Sequence, residues 1–278
     1  MMKFMKLPSY LGAFAAVLGP GDPPSHAAVF TKAFEPGFAV ETLDRRDDGS
    51  VRVETVSFKA IDIGKLVIKS GRICAADPFV FLGDTKPFTQ EIPSGEFPVR
   101  LAVGFHPAGE LKDTRVSFAR VDFSHEPVVR WSLAVVEGQK TAELKEGEIF
   151  GYGVDAGTGS FFDPLAGSAA KALLAANPEA WEAWQTEGEA NGPKVVGPYS
   201  FVLMLPMGDT NVAMFHSGWG DGFYASCFGF DAVGQVAASS RISKPSIGPV
   251  PSGNARIIVT PLRERVWLAP TKTRSIAC

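Results

Sequence analysis

The sequence predicts an α+β protein that is predominantly antiparallel β-sheet or sandwich, with one central helical insertion at about residues 164–186. Short runs rich in β-branched and aromatic residues, bounded by Gly, Pro or Asp, occur on both sides of that insertion, which is typical of antiparallel strands. The composition agrees, because 29 Gly, 21 Pro and 21 Phe in 278 residues favour a turn-rich chain packed with aromatic side chains.

The strand-like runs lie mainly between residues 38 and 135. They are VRVETVSF, IGKLVIKSGRICAADPFVFL, GEFPVRLAVGF, TRVSFARVDF and VVRWSLAVVEG. The apolar phase of TRVSFARVDF changes between Ala119 and Arg120, which predicts a bulge or an edge position there. Asp77-Pro78 is expected to end a strand, because proline lacks an N–H and restricts the residue before it. The region lacks the alternating strands and helices of a nucleotide-binding sheet.

The helical insertion has clear boundary signals. Asp163 can cap a helix that begins at Pro164, and the apolar residues that follow recur at helical spacing. Asn177-Pro178 breaks this helix and starts a second, short one. Residues 187–198 are predicted to be a polar, Gly-rich loop.

The β pattern returns after that loop. Gly208-Asp209 lies between two apolar runs and predicts a hairpin turn. The sequence also predicts further strands at 256–260 and 263–268.

Charge and cysteine content limit the classes of function. The chain has 27 basic and 30 acidic side chains, a net charge of −3, which argues against nucleic-acid binding by phosphate neutralisation. Three cysteines are too few for a disulfide framework and none has metal-ligand spacing, so we expect reduced, packed thiols, with Cys74 in the core. Arg72, Arg115 and Arg120 could pair with the acidic residues of the candidate site or face solvent, and surface ion pairs are the default expectation.

The domain organisation predicted is a central domain with two extensions. Residues 1–28 form an N-terminal extension, residues 29–242 the β-rich domain, and residues 243–278 a C-terminal extension with one or two strands. The first extension resembles a secretory signal, with Ser25-His26-Ala27 as a cleavage site. Pro8 and the prolines after residue 19 argue against that interpretation, and the alternative is a short helix at 9–18 whose apolar face docks on the domain. We expect a cytoplasmic protein, with export as the alternative, and no stretch is apolar enough over 18 residues to span a membrane.

Two segments are dense in glycine and aspartate. They are Gly151-Tyr-Gly-Val-Asp155-Ala-Gly-Thr-Gly159-Ser-Phe-Phe-Asp163 and His216-Ser-Gly-Trp-Gly-Asp221-Gly-Phe-Tyr224. Together with Ser70-Gly-Arg-Ile-Cys-Ala-Ala-Asp77-Pro78, Ile92-Pro-Ser-Gly95 and the spacing of Gly229, Asp231 and Gly234, they resemble the bacterial family of domain of unknown function 4241 (DUF4241). The resemblance runs from about residue 29 to 236 and departs in the longer tail. It implies a fold and a set of special positions, and it brings no established reaction.

The first segment also resembles the phosphate loop of actin-like kinases, but it lies after a run of antiparallel strands, where such kinases do not place it. The simpler interpretation is a tight glycine turn followed by a capped helix. In that turn, Asp155 lies among backbone donors and could bind a cation or orient a polar ligand.

The candidate site residues come from both segments. Asp155, His216 and Asp221 are the candidate catalytic residues, since carboxylates and an imidazole that converge can hold a divalent cation or act as general acid and base. An ordinary structural role is the alternative for each of them. The candidate ligand-binding residues are Gly157, Thr158, Gly159, Ser217, Trp219 and Tyr224.

Three functions compete on this evidence. The first is a binding or interaction module that contacts an unknown protein or a polar small-molecule ligand through Gly, Asp and aromatic loops. The second is a hydrolase-like enzyme centred on Asp155, His216 and Asp221, with a divalent cation as a candidate cofactor. The third is a structural or periplasmic accessory protein. Convergence of the three side chains favours chemistry, whereas bonding of each to its own turn favours binding.

Overall fold

Fourteen strands and two α-helices make up most of the part of the chain that the computed structural model describes, which is residues 29, 31–45, 51–106, 113–145, 149–242 and 258–260. Strands β1 to β6 are Ala39–Arg45, Val51–Ile68, Cys74–Ala76, Gly95–His106, Asp113–Asp122 and Arg130–Leu133. After the short 3-10 turn Thr141–Glu143 come β7, Tyr152–Val154, and β8, Thr158–Phe162. Helix α1 is Pro164–Ala176 and helix α2 is Ala180–Val195. Strands β9 to β14 are Val202–Met207, Thr210–His216, Gly222–Tyr224, Ser226–Phe230, Val236–Ile242 and Ile258–Thr260.

The strands form three antiparallel sheets, so the predicted β-rich α+β class is confirmed. The largest has the order β14-β1-β2-β4-β5-β13-β12-β6, the second β3-β8-β10-β9, and the smallest is the pair β11-β7. Among the predicted tail strands, only 258–260 lies within the described residues, as β14 against β1. The run at 263–268 and the helix at 9–18 lie outside them.

The two larger sheets pack face to face around the main core. Leu101 and Val121 of the eight-stranded sheet share this core with Phe161 and Phe215 of the four-stranded sheet. The helices cover the other face of the four-stranded sheet, where Trp184 packs with residues of β9 and β10. The layers are therefore sheet, sheet and helices, and this arrangement buries both apolar faces of the four-stranded sheet,.

Val29, Ala33, Phe34 and Phe38 pack on the outer face of the large sheet. Phe34 is buried there, and the Arg120 guanidinium lies 4.1 Å from the centre of its ring. Arg120 also lies 2.7 Å from Asp122 in an ion pair. The predicted surface position of Arg120 is thus wrong, whereas Arg72 does pair with Glu91 at the surface. Burial lowers the pKa of the Arg120 guanidinium, and the Asp122 carboxylate opposes that effect,.

The predicted bulge in β5 occurs, but two residues earlier than expected. Ala102 of β4 pairs with Phe118, and Val103 pairs with Val116, so Ser117 is the extra residue. Strand β5 lies between β4 and β13 and is not an edge strand. The alternation of apolar residues predicted the wrong position for the bulge because Arg120 is polar yet buried.

The helical insertion is longer than predicted. Helix α1 begins at Pro164 with Asp163 as its N-cap, as expected, and the chain breaks near Asn177 before α2. Helix α2, however, continues to Val195 through residues predicted to be a loop. A Cβ on Gly188 would lie 2.0 Å from Phe201 Cζ, and one on Gly192 would lie 1.9 Å from the Ser200 carbonyl oxygen. These glycines allow close packing of the helix on the start of β9, and they do not mark a turn.

The sequence-predicted hairpin is confirmed. Met207 of β9 pairs with Thr210 of β10 across the two-residue turn Gly208-Asp209, and Gly208 has a φ of 60°, a value that glycine adopts without strain. Within the described residues, neither helix is both long and apolar enough to span a membrane.

Candidate functional site

The two glycine-rich segments are adjacent in the fold. Residues 152–162 run antiparallel to residues 210–224, with β8 paired to β10 and β7 paired to β11. The pairing is interrupted once, because residues 155–157 and 217–221 are not paired with each other as strands. Strand pairing is present on both sides of this interruption, between β8 and β10 and between β7 and β11. We call residues 155–159 and 217–222 together the paired loops.

Backbone contacts join the paired loops directly. Ser217 N donates to the Gly157 carbonyl oxygen at 2.8 Å, and Gly157 N donates to Asp221 Oδ1 at 3.1 Å. Gly157 has a φ of 60°, and a Cβ on it would lie 3.7 Å from the Gly220 Cα. Segments some sixty residues apart in sequence therefore form one local surface.

Asp77 anchors the first of the paired loops through hydrogen bonds to its backbone. It is fully buried, and its Oδ2 accepts hydrogen bonds from Asp155 N at 2.8 Å and Ala156 N at 2.7 Å. Its Oδ1 accepts from Phe79 N at 3.0 Å. Sequence reasoning predicted only that Asp77-Pro78 ends a strand, which is confirmed since β3 ends at Ala76. The anchoring role was missed, although an acidic residue directly after the apolar run Ile73-Cys-Ala-Ala76 was a usable signal, because buried carboxylates need several donors.

The three candidate catalytic residues lie in or beside the paired loops. His216 is half-buried opposite Thr158, and its Nδ1 accepts a hydrogen bond from Gly218 N at 3.0 Å. The neutral ring therefore carries its proton on Nε2. Asp221 is exposed and uses Oδ1 to bind the Gly157 amide. Asp155 is exposed too, and no described residue hydrogen bonds to its carboxylate.

These side chains do not form a recognisable metal centre. Within the described part of the chain, no group of three or more His, Cys, Asp or Glu side chains lies close enough together to hold a metal ion. The catalytic roles of Asp155, His216 and Asp221 remain predictions.

Several candidate ligand-binding residues shape the loops from within. Ser217 Oγ and Tyr224 Oη both donate to the Gly220 carbonyl oxygen, at 2.6 and 2.7 Å. Thr158 Oγ1 donates to the Ala156 carbonyl oxygen at 3.2 Å. Thr158, Ser217 and Tyr224 are buried, as is Gly159, so these groups fix the backbone that presents the exposed residues.

Trp219 is the large exposed side chain of the paired loops, with 41% of its surface accessible. The Arg115 guanidinium lies 4.0 Å from the centre of its ring, and Arg115 Nη1 donates to the Gly218 carbonyl oxygen at 3.0 Å. A guanidinium at this distance attracts the indole face by a cation–π interaction. Sequence reasoning predicted a surface ion pair for Arg115 and missed this stack, which joins β5 to the second loop.

A second exposed aromatic residue lies at the same end of the sheet. Tyr199 is 94% exposed and has a φ of 59°, the one positive φ among described residues other than glycine. Two residues later, the Phe201 carbonyl accepts a hydrogen bond from His216 N at 2.9 Å, which places the 197–201 segment beside the start of the second loop. A bulky residue in this backbone region is strained and often marks a functional position.

Cys74 is a buried thiol, as predicted, and it lies away from the paired loops. It pairs with Phe162 on one side of β8, whereas His216 pairs with Thr158 on the other side, four residues along the strand, about 13 Å. Burial, aided by the charge of Asp163, raises the pKa of the Cys74 thiol to about 12. A Cys74–His216 nucleophilic pair is therefore not formed.

The prediction of reduced thiols is wrong for Cys227. Cys74 is free, but Cys227 is disulfide-bonded, and its partner lies outside the described residues. The odd cysteine count argued against a disulfide framework but still allows one bridge.

The fold and the loops together define an antiparallel β protein with two adjoining glycine-rich loops, which lie between the paired strands β8 and β10 and the paired strands β7 and β11. The family model described as "Protein of unknown function (DUF4241)" matches residues 66–239, from β2 through the paired loops into β13. The chain belongs to the DUF4241 family. Comparison with curated proteins gave no match. Comparison with solved structures gave none either.

Proposed function

We propose that this chain is a binding module, and that the paired loops form its contact surface for a polar small-molecule ligand. The observation that carries the proposal is the Trp219–Arg115 stack. It fixes an exposed indole on a loop whose backbone is held by hydrogen bonds from both sides. Rigid, exposed aromatic side chains on loops supported by a sheet are characteristic of contact surfaces.

The use of the polar side chains supports binding over catalysis. Asp221 Oδ1 and His216 Nδ1 each bond a backbone amide of the paired loops, and Asp77 bonds two more. Groups engaged in this way stabilise loop shape, and such preorganisation lowers the entropic cost of binding. The hydrolase-like alternative needs Asp155, His216 and Asp221 to act on one substrate atom, whereas Asp221 Oδ1 and His216 Nδ1 both accept hydrogen bonds from loop amides.

Fluorine NMR on protein labelled with 5-fluorotryptophan tests the proposal. The chain has five tryptophans, and Trp219→Phe and Trp181→Phe identify two of their resonances. The ligand panel contains neutral sugars, amino acids, dicarboxylates, polyamines and nucleosides. We expect at least one class to shift the Trp219 resonance in a saturable way without being converted.

The matched control is Trp181, which lies on α2 with a similar exposed fraction of 42%. Its resonance should not follow the same titration. Two results would contradict the proposal: no class shifts the Trp219 resonance, or a compound is hydrolysed by the wild type and not by His216→Ala. The second result would instead support the hydrolase-like function.

A further inference from the structure

We infer that His216 makes the second of the paired loops sensitive to pH, so that protonation of its imidazole moves the Trp219 indole relative to Arg115. We call this device the His216 switch. Its effect on ligand affinity rests on the proposed binding function, whereas the loop movement itself does not. The geometry that carries the inference is a short series of contacts from the imidazole through Gly218 to the indole.

The imidazole of His216 is a hydrogen-bond acceptor in this structure. Its Nδ1 accepts from Gly218 N at 3.0 Å, and a histidine nitrogen can accept only while it carries no proton. In the imidazolium form both ring nitrogens are donors, so Nδ1–H and the Gly218 N–H would face each other. The contact between His216 and Gly218 therefore requires the neutral ring.

Gly218 transmits the change in His216 to Trp219. The imidazole holds the Gly218 amide, and Arg115 Nη1 donates to the carbonyl oxygen of the same residue at 3.0 Å. Trp219 is the next residue in the chain, and the Arg115 guanidinium lies 4.0 Å from the centre of its ring. Protonation removes the first of these contacts, so the orientation of Gly218 changes and the indole moves with it.

The backbone at Gly218 allows a second conformation of the loop. Its φ is 89°, and glycine adopts positive and negative φ about equally readily. The ends of the loop stay in place, because Ser217 N and Asp221 Oδ1 are both bonded to Gly157. The change is therefore confined to the tip of the loop, where Trp219 lies.

The charged groups around His216 set the pH at which it is protonated. Strands β8, β9 and β10 contain no acidic or basic residue other than His216. A neighbouring guanidinium disfavours the imidazolium, and neighbouring carboxylates favour it. The titratable groups on the adjoining elements are Arg115 on β5, Asp77 after β3, Asp155 and Asp221 in the paired loops, and the phenols of Tyr152, Tyr199 and Tyr224.

NMR tests the His216 switch without any ligand. In protein labelled with ¹⁵N-histidine and 5-fluorotryptophan, the ring nitrogens of His216 report protonation and the Trp219 resonance reports the loop. We expect both to change with one shared midpoint between pH 8 and about pH 4.5, which spans the usual titration of histidine. In ¹⁵N-glycine-labelled protein, the Gly218 amide resonance should change with the same midpoint, because its acceptor is lost. The Trp181 resonance, on α2, should not follow this midpoint.

His216→Asn is the matched variant. The Asn Oδ1 can accept the hydrogen bond from Gly218 N in place of Nδ1, but the amide does not ionise. The Trp219 resonance of this variant should therefore lose its pH dependence. His125→Asn, at an exposed histidine on a different loop, should keep the pH dependence of the wild type. The titration of the wild type needs no variant, so it decides the question even if His216→Asn does not fold.

The effect on affinity is measured with the same panel of neutral sugars, amino acids, dicarboxylates, polyamines and nucleosides. Each class is titrated at one pH above and one pH below the midpoint of His216. A compound that shifts the Trp219 resonance should bind about fivefold more weakly below the midpoint, because one hydrogen bond that holds the binding conformation is lost. The same compound should bind His216→Asn with equal affinity at both pH values.

The outcomes separate the His216 switch from the binding function. The switch is overturned if His216 stays neutral throughout the titration, or if it is protonated while the Gly218 and Trp219 resonances stay constant. Persistence of the Trp219 pH dependence in His216→Asn also overturns it. Equal affinity of wild type above and below the midpoint overturns the effect on binding and leaves the binding function standing. If no compound shifts the Trp219 resonance at either pH, the binding function is overturned, whereas the pH titration still decides the switch.

Discussion

At the scale of single residues, two buried carboxylates organise the ribbon that carries the paired loops. Asp163 accepts hydrogen bonds from Leu165 N through Oδ1 and from Lys69 N and Ser70 N through Oδ2. Asp77 does the same for Asp155, Ala156 and Phe79. A buried carboxylate is tolerated only with such donors, because its desolvation is otherwise too costly. The cap of Asp163 could be predicted because Leu165 is two residues away, whereas the loop residues that Asp77 anchors, Asp155 and Ala156, are 78 and 79 residues away.

Replacement of Asp77 should therefore destabilise the protein out of proportion to the small change in shape. Asp77→Asn puts an amide NH2 where a carboxylate oxygen accepted hydrogen bonds, so at least one buried N–H loses its acceptor. We expect a loss of about 2 kcal/mol in the free energy of unfolding, measured by urea denaturation. Asp155→Asn, at an exposed carboxylate in the same loop, should change it by less than about 0.5 kcal/mol. Equal effects of the two substitutions would contradict the anchoring role.

The Cys74 thiol should make stability depend on alkaline pH. Its pKa is raised by burial from the ordinary value of 9.0 to about 12, so above pH 9 the unfolded chain releases a proton that the folded chain keeps. This contribution to stability is complete below pH 9 and is lost as the pH rises towards 12.

Between pH 8 and pH 10 the loss attributable to Cys74 should be about 1.4 kcal/mol. The measurement is urea unfolding of the wild type and Cys74→Ala at both pH values, since the variant lacks only this ionisation. The free energy of unfolding should fall more steeply with pH in the wild type. Parallel pH profiles, or rapid reaction of Cys74 with a thiol reagent in the folded state, would contradict the assignment.

At the scale of elements, local signals predicted boundaries well and long-range contacts poorly. The Asp163-Pro164 start of α1 and the Gly208-Asp209 hairpin depend on neighbours in sequence, and both are confirmed. The extent of α2 depends on its contact with Ser200 and Phe201. Gly188 and Gly192 read as a loop in isolation, but they are the positions where the helix backbone approaches the chain before β9.

Gly192 offers the sharpest test of that packing. A methyl group added there would overlap the Ser200 carbonyl, which is backbone and cannot rotate away. Although alanine is normally the better helix residue, Gly192→Ala should lower the free energy of unfolding by about 2–3 kcal/mol. Glu187→Ala, at an exposed position of the same helix, should change it by less than about 0.5 kcal/mol. A stabilising effect of Gly192→Ala in thermal melts would show that α2 does not pack as described.

At the scale of the whole molecule, the fold brings distant segments together at the candidate site. The residues of the site could be chosen from the sequence because both segments are unusually rich in glycine and aspartate. Their pairing could not, since α1, α2 and β9 separate them along the chain and the register follows from the packing of β8 between β3 and β10. The stack of Arg115 on Trp219 could not be predicted either, because Arg115 lies on β5 of the eight-stranded sheet, far from Trp219 in sequence.

Contact between Gly157 and Gly220 tests the paired loops most directly. A Cβ position on Gly157 lies 3.7 Å from the Gly220 Cα, so the α-protons of these residues should be close in space. In protein labelled with ¹³C and ¹⁵N at glycine alone, a nuclear Overhauser cross-peak between Gly157 and Gly220 is the predicted result. If both residues are assigned and no cross-peak links them, the two loops do not form one surface, and the proposed binding site does not exist.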